Sequence, residues 1–552
     1  MLGFPQATLA RSPWPRRRVG PVFGRGGMVA AAHPLVAETG LEVLRRGGNA
    51  VDAAVAAGLT AAVVMPEMCG LGGDLFALVH AHGQAPAAFM GSGVAPRSAT
   101  LAQMRAAGTD GRMPYRGPLA VSVPGMVDAY DALLARFGSR SFAELAQPAI
   151  SQAEDGYALS VIGSWSIANA RDLIEQFPAT AAVFLPNGEV PPPGAILKQS
   201  GLARTLKTLA AEGPSAFYRG AIAREIGDFM AGIGGALSAS DLADHATEVA
   251  APLETTYRGH TVYQTCLPSQ GLILLEALNI IEQADPQRLA RGDAAAIHLM
   301  AEAIKLAYAD RIAYARDPAF GDTPLDLLLS KPWAAERFAQ IDPDQASEET
   351  SPGPLNDGDT TYLCVADGAR MMVSLIQSVS SNFGSGVVAG DTGVLLNNRA
   401  GRGFTLEDGH PNVFAPGKKT LHTLNCWMLA DPQGRMTMVG GTPGGDGQPQ
   451  WNLQMLVNLI DAGMDVQAVA DAPRWTVWPG TDPLDRPNPY DLRLETRFGD
   501  PALEGLEALG HRLVRQGGWG TACAAQLIAR NPETGVLVGG SDPRAEGLAL
   551  GY

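Results

Sequence analysis

Asp359-Thr-Thr-Tyr-Leu-Cys-Val-Ala-Asp-Gly-Ala-Arg-Met-Met-Val-Ser-Leu-Ile-Gln-Ser378 is the stretch on which the reading of this chain turns. Thr361 to Ala366 and Met371 to Ser378 are apolar, β-branched runs separated by Asp367-Gly368, so they read as two strands of a hairpin. Upstream, Asp342 to Asp359 is rich in Pro, Gly, Ser, Asp and Glu and has almost nothing to bury, which reads as an exposed connector. Thr360 therefore stands where a connector becomes a strand. If the hairpin loop is Gly368-Ala-Arg370, Thr360 faces Ser378, and directly opposed residues have Cβ atoms ~4.5–5.5 Å apart. A loop one residue shorter would place Gln377 opposite instead.

Outward from the hairpin, the first part of the chain is helix-heavy. Pro34 to Arg46 has helical spacing and stops at Gly47-Gly48; a second helix runs from Ala50 to Val64. Cys69-Gly-Leu-Gly-Gly-Asp74 is a glycine loop leading into a buried strand, Leu75 to Val79. Gly117 to Pro124 reads as extended, and Gly125 to Phe137, Leu202 to Ala211 and Ala221 to Met230 as helices. Ala294 to Tyr314 is the clearest helix, with Ile297, Met300, Ala301, Ile304, Tyr308 and Ile312 on one stripe. After the connector, strands alternate with Gly-rich turns, plus helices near Gln450 to Ala462 and Asp500 to Leu509. This order suits two domains, or one layered domain whose sheets draw on both parts.

The chain has 552 residues, 46% hydrophobic and only 18% charged, which excludes wholesale disorder. A net charge of −15 argues against nucleic acid and anionic membranes as partners. The longest apolar run, Ala53 to Met65, falls short of the ~18–20 residues of a membrane helix. Residues 1–26 carry five arginines, no acid and no apolar core, and read as a flexible leader, not a secretory signal. The five cysteines are scattered without a C-x-x-C, so no zinc clamp or disulfide framework is expected, and a reduced, cytoplasmic protein fits. H-E-x-x-H, G-x-S-x-G and P-loop signatures do not occur; Gly417-Lys-Lys-Thr420 lacks the leading glycine of the last. Gly70 to Gly73 is too tight for a dinucleotide fingerprint, and His80 and His82 have no supporting acid or cysteine pattern. Neither cofactor nor metal is expected.

Several further motifs, taken with the hairpin, resemble the gamma-glutamyltranspeptidase family over about Gly27 to Gly551. They are Gly47-Gly-Asn-Ala-Val-Asp-Ala-Ala54, Gly70-Leu-Gly-Gly73, Pro268-Ser-Gln-Gly271, His298-Leu-Met-Ala-Glu-Ala303, Asp359-Thr-Thr361, Asn382-Phe-Gly-Ser-Gly386, Leu395-Leu-Asn-Asn398, Gly440-Gly-Thr-Pro-Gly-Gly445 and Ser541-Asp-Pro-Arg544. The resemblance implies an N-terminal-nucleophile hydrolase with a four-layer αββα sandwich. It implies a precursor that cuts itself between Asp359 and Thr360 into a large subunit (27–359, after the leader) and a small one (360–552) that share one domain. Thr360 would be the nucleophile and its freed α-amine the base, since a hydroxyl alone is a weak nucleophile and an α-amine has a reference pKa of ~7.7–8. Ser378 matches the family's second hydroxyl, normally a threonine. Gly444 and Gly445 match the paired glycines whose N–H groups form the oxyanion hole.

The resemblance weakens at the glutamyl pocket. Ser92 falls where the family has an arginine for the substrate α-carboxylate, Ser380 replaces an asparagine, and His422-Thr423 replace paired serines. Arg399 aligns with a glutamine that contacts the α-ammonium, and Arg399 to Phe404 contains no acid but a second arginine, Arg402. Guanidinium groups repel an ammonium and hold a carboxylate. A small anionic acyl amide is therefore the expected substrate, oxamate-like or glutaryl-like, as in the oxamate amidohydrolase and cephalosporin acylase branches. A glutathione hydrolase with a rearranged pocket and an uncleaved binding scaffold are the alternatives; oligomers beyond the paired subunits stay open.

Overall fold

The computed structural model describes residues 20–347, 360–481 and 490–552. Two seven-stranded sheets dominate. In chain order their strands are β1 (Val22–Gly24), β2 (Gly27–Ala31), β3 (Asp74–His80), β4 (Ala87–Gly91), β5 (Glu248–Ala250), β6 (Leu253–Tyr257) and β7 (His260–Gln264). After the connector come β8 (Thr361–Asp367), β9 (Met372–Ser378), β10 (Trp427–Ala430), β11 (Met436–Gly441), β12 (Gln526–Arg530), β13 (Leu537–Ser541) and β14 (Leu548–Gly551). One sheet has the order β14-β2-β8-β9-β3-β4-β5 and the other β1-β13-β12-β11-β10-β7-β6, all antiparallel. Each sheet takes strands from both sides of Thr360. The sequence left two domains or one layered unit open; strand exchange makes it one.

Side-chain alternation along the strands builds the layers. Tyr362, Cys364 and Ala366 of β8 face Met428, Val439 and Ile528 of the other sheet, forming the inter-sheet core. Leu363 and Val365 face outward onto the helices α1 (Pro34–Arg45) and α2 (Ala50–Val64). The second sheet carries α3 (Gly271–Ile281), α4 (Ala294–Tyr314) and α5 (Gly447–Ile460) on its outer face. The result is the αββα sandwich that the family resemblance implies. The alanine-rich run that could have raised a membrane reading is α2, buried along its whole length and started by an Asn49–Asp52 capping box. Among the described residues no helix is long and apolar enough to cross a membrane.

Three expectations are adjusted. Val22–Gly24 is not leader: it pairs with β13, because Val22 packs onto the inter-sheet core, so the described fold begins before Gly27. Gly117 to Pro124 is not wholly extended, since Pro118–Ala120 makes one 3₁₀ turn. Helix α4 is not amphipathic but buried on nearly every side, since α3, the helix Asp500–Ala508 and neighbouring elements surround it. Its buried charges are therefore paired, Lys305 with Glu302 at 2.6 Å and Arg311 with Asp446 at 3.4 Å.

The sheets approach most closely where bulk is missing. A Cβ on Gly441 would stand 2.6 Å from the Tyr362 ring, so β11 reaches β8 only as glycine. Gly441→Ala should destabilise the protein by about 1–3 kcal/mol. Urea unfolding of the variant against the parent chain checks this; an unchanged midpoint would mean that the sheets have slack there.

Candidate active site

The hairpin register answers the question left open by the sequence. Thr361 pairs with Gln377 and Ala366 with Met372, so the loop is the three-residue one and Thr360 lies opposite Ser378. The turn is fixed by Asp367, whose carboxylate accepts from Met371 N at 2.9 Å and Ala50 N at 3.0 Å, and Arg370 takes the left-handed φ of 71° that the turn requires. Thr360 Oγ1 donates to Ser378 Oγ at 3.3 Å, and both residues are fully buried. Ser378 Oγ also accepts from Ser380 N at 2.7 Å. Ser380 holds a φ of 89°, a costly conformation for a residue with a Cβ.

The row continues across the sheet. Asp74 opens β3 directly opposite Ser378, and one further step of the β3–β4 register brings Ser92 beside Asp74. By strand alternation Thr360, Ser378, Asp74 and Ser92 all point between the sheets. Glycine makes this closeness possible: a Cβ on Gly73 would lie 2.3 Å from the Ser378 carbonyl oxygen. Asn397, within the quoted Leu395 to Asn398 motif, braces the same loop by donating to the Gly72 and Ser122 carbonyls at 2.9 and 3.1 Å.

Asp74 changes the electrostatics expected from the sequence. Its Oδ2 accepts from Arg399 Nε at 3.3 Å and from His422 Nε2 at 3.1 Å. Arg399 Nη1 reaches Thr423 Oγ1 at 3.0 Å, and Arg402 Nη1 donates to the Ser380 carbonyl at 3.0 Å. Arg399 and Arg402 thus lie near the Thr360–Ser378 pair, and Asp74 is a counter-ion of Arg399. His422 stacks on Phe76 with ring centroids 4.5 Å apart, and its Nδ1 accepts from Leu424 N at 3.2 Å. Both ring nitrogens are therefore assigned, Nε2 carrying the proton. Burial, then the Arg399 charge, pushes its pKa down to about 4 against the opposing pull of Asp74, so it is neutral at neutral pH. Ser92 Oγ, Ser380 Oγ and Asp74 Oδ1 are buried without a hydrogen-bond partner among the described residues.

Gly444 and Gly445 follow β11, with φ of 122° and 52°. Among the described residues neither backbone N–H finds an acceptor. Side chains are excluded here: a Cβ on Gly444 would stand 2.0 Å from the Trp451 ring. Two bare, adjacent N–H groups suit a developing oxyanion. Asp359 lies outside the described residues.

The sequence reading missed Asp74, Gln270 and Arg311. Asp74 was quoted only as the end of a glycine loop; the signal was a charge at the start of an otherwise apolar strand, with arginines elsewhere to balance. Gln270 Nε2 donates to the Thr423 carbonyl at 2.6 Å and the Gly445 carbonyl at 2.7 Å. Arg311 Nη1 lies 3.4 Å from both Gln270 Oε1 and Asp446 Oδ1. Elsewhere, His298, Glu302 and His511 are the one trio of ligating side chains grouped among the described residues. Their atoms are engaged: His298 Nε2 donates to the Asp342 carbonyl at 2.8 Å, the two rings share a 2.9 Å contact, and Glu302 holds Lys305 and Ser347 N. The group clamps the start of the connector, at Asp342 and Ser347.

A family model described as gamma-glutamyltranspeptidase matches residues 36–552. The chain is 37% identical to the glutathione hydrolase-like YwrD proenzyme of Bacillus subtilis, over 96% of this chain and 99% of that one. It is 35% identical to the oxamate amidohydrolase proenzyme of Klebsiella pneumoniae, over 95% of this chain and 98% of that one. Among solved structures, a cephalosporin acylase from Bacillus halodurans superimposes with a TM-score of 0.90 at 35% identity, covering 98% of each chain.

His422 gives this site a pH signature. Its folded pKa lies below the ordinary 6.5, so the unfolded chain takes up a proton first as pH falls. The stabilisation is complete above pH 6.5 and is lost on acidification toward pH 4, by roughly 3 kcal/mol. His422→Gln should flatten the stability–pH curve between those limits in urea titrations; parallel curves for variant and parent would contradict the assignment.

Proposed function

Since the chain belongs to the gamma-glutamyltranspeptidase family and is an amide-cleaving hydrolase, we propose that it is a proenzyme that cuts itself before Thr360 and then hydrolyses the amide of a short, monoanionic acyl group. The observation that carries this reading is the buried Thr360–Ser378 pair, joined through Asp74 and Ser380 to Arg399 and Arg402.

In the precursor, Thr360 Oγ attacks the Asp359 carbonyl carbon and the peptide C–N bond breaks, giving an ester and a free α-amine. Water opens the ester, leaving Asp359 as the carboxyl end of the large subunit and Thr360 as the first residue of the small subunit (360–552). In turnover, the α-amine takes the Oγ proton as Oγ adds to the substrate carbonyl. Gly444 N–H and Gly445 N–H receive the oxyanion, each such donor being worth typically 100–1,000-fold in rate. Collapse expels the amine, which leaves with the proton. Water, deprotonated by the same α-amine, then cleaves the acyl ester and frees the acid. Ser378 orients Oγ throughout.

Charge and reach support the acyl group. Two guanidinium groups, Arg399 and Arg402, lie near the Thr360–Ser378 pair and suit a carboxylate. Only Ser380 and Ser378 separate Arg402 from Thr360 in the hydrogen-bond chain, so that carboxylate would sit close to the scissile carbonyl. Oxamate has this form, its carboxylate being bonded directly to the amide carbon. A glutaryl group carries the same charge on a longer stem, and the likeness to a cephalosporin acylase keeps it as the second reading. A gamma-glutamyl group adds an ammonium that the two guanidinium groups would repel.

Denaturing gels and a substrate panel test this together. The wild-type chain should run as two bands and Thr360→Ala as one band of 57.6 kDa without activity. Processed enzyme should cleave oxamate faster than glutaryl-anilide, and both faster than gamma-glutamyl-anilide. Activity in an uncleaved chain would overturn the mechanism, and a fast gamma-glutamyl reaction alone would overturn the acyl group.

A further inference from the structure

We propose that Gln270 is a positioning residue that anchors the loop carrying the two oxyanion N–H groups and ties it to the segment 422–423. The inference rests on the assignment of Gly444 and Gly445 above and deepens it.

Adjacent glycines let a substrate carbonyl approach bare backbone, but they also let a peptide plane rotate at little steric cost. A rotated plane would carry an N–H away from the oxyanion or put a carbonyl in its place. The Gly444 N–H lies on the plane of the Pro443 carbonyl, which accepts from Thr442 Oγ1 at 2.9 Å, and the Gly445 N–H on that of the Gly444 carbonyl, which accepts at 2.8 Å from N of Gly447, the first residue of α5. The next plane, that of the Gly445 carbonyl, fixes how the loop leaves the glycine pair; this carbonyl accepts from Gln448 N at 3.2 Å and from Gln270 Nε2 at 2.7 Å, the shorter bond coming from the side chain.

Gln270 is suited to this by its own restraints. It is fully buried. Its backbone N donates to the His422 carbonyl at 2.9 Å, while His422 N donates to the Pro268 carbonyl at 2.9 Å, so its base is stitched to the segment 422–423. One hydrogen of Nε2 goes to Thr423 O and the other to Gly445 O, and Oε1 faces Arg311 from α4. A primary amide supplies two N–H donors and one acceptor, which this site uses in full. Arg311 extends the strut by meeting Asp446, the residue after the glycine pair, and Tyr308 OH donates to the Asp446 carbonyl at 2.6 Å. The oxyanion loop and the wall containing His422 and Thr423 are thus held at one spacing by a single side chain.

Gln270→Met keeps the length and removes both donors. With whichever of oxamate, glutaryl-anilide and gamma-glutamyl-anilide the wild-type enzyme cleaves fastest, kcat should fall tenfold or more while KM stays within about threefold, because a misplaced donor acts on the transition state. Should Gln270→Met fail to fold, Gln270→Glu is judged by the same split; its kcat relative to wild type at the same pH should also recover partly on acidification, where the protonated carboxyl regains one donor. A Gln270 variant with kcat within twofold of wild type, or with kcat lost only in proportion to folded protein, overturns this inference alone, provided Thr360→Ala is inactive. Activity surviving in Thr360→Ala overturns the underlying assignment and this inference with it.

Discussion

The pairing of Thr360 with Ser378 across a three-residue hairpin is the constraint on which the rest of the site depends. It requires the register set by the Asp367 turn, and it brings a hydroxyl on the residue just ahead of one strand against a hydroxyl on the last position of the next. Everything else is arranged around that contact. Gly73 is bare so that β3 can lie beside Ser378; Asp74 then stands next in the row; Gly441 is bare so that the facing sheet can close on Tyr362. The two sheets exchange strands from either side of Thr360, so a break before that residue would leave both pieces sharing one core.

Charge follows from burial. Arg399 is hidden from solvent, and a buried guanidinium without a counter-ion would be costly. Asp74 supplies the counter-charge, and a neutral His422 completes the cluster without adding a further one. The site that results sets a buried pair of hydroxyls beside guanidinium groups, the setting on which the proposed anionic acyl group rests.

Much of this was legible in the sequence. The hairpin and the helices from Pro34 and Ala50 were legible because alternation and helical spacing are local properties, while the layered fold came from the family resemblance that the ordered motifs carry. Of the residues singled out, Thr360 and Ser378 are brought together, and the N–H groups of Gly444 and Gly445 have no acceptor among the described residues. Local reading missed what depends on distant contacts. Asp74 lies 325 positions from Arg399, and Gln270 lies 175 from Gly445, so neither partnership has a spacing to detect. Helix α4 was read as one-sided because a stripe pattern does not reveal that the other faces are also covered. Val22–Gly24 was assigned to the leader because three residues are too short a strand to show a period.

The central claim is that Thr360 becomes a chain terminus carrying both nucleophile and base. Amino-terminal sequencing of the purified, active protein addresses it directly. The account predicts a chain beginning Thr-Thr-Tyr-Leu. Active protein in which every molecule has the 359–360 bond intact, or whose second chain starts at any other residue, would contradict it.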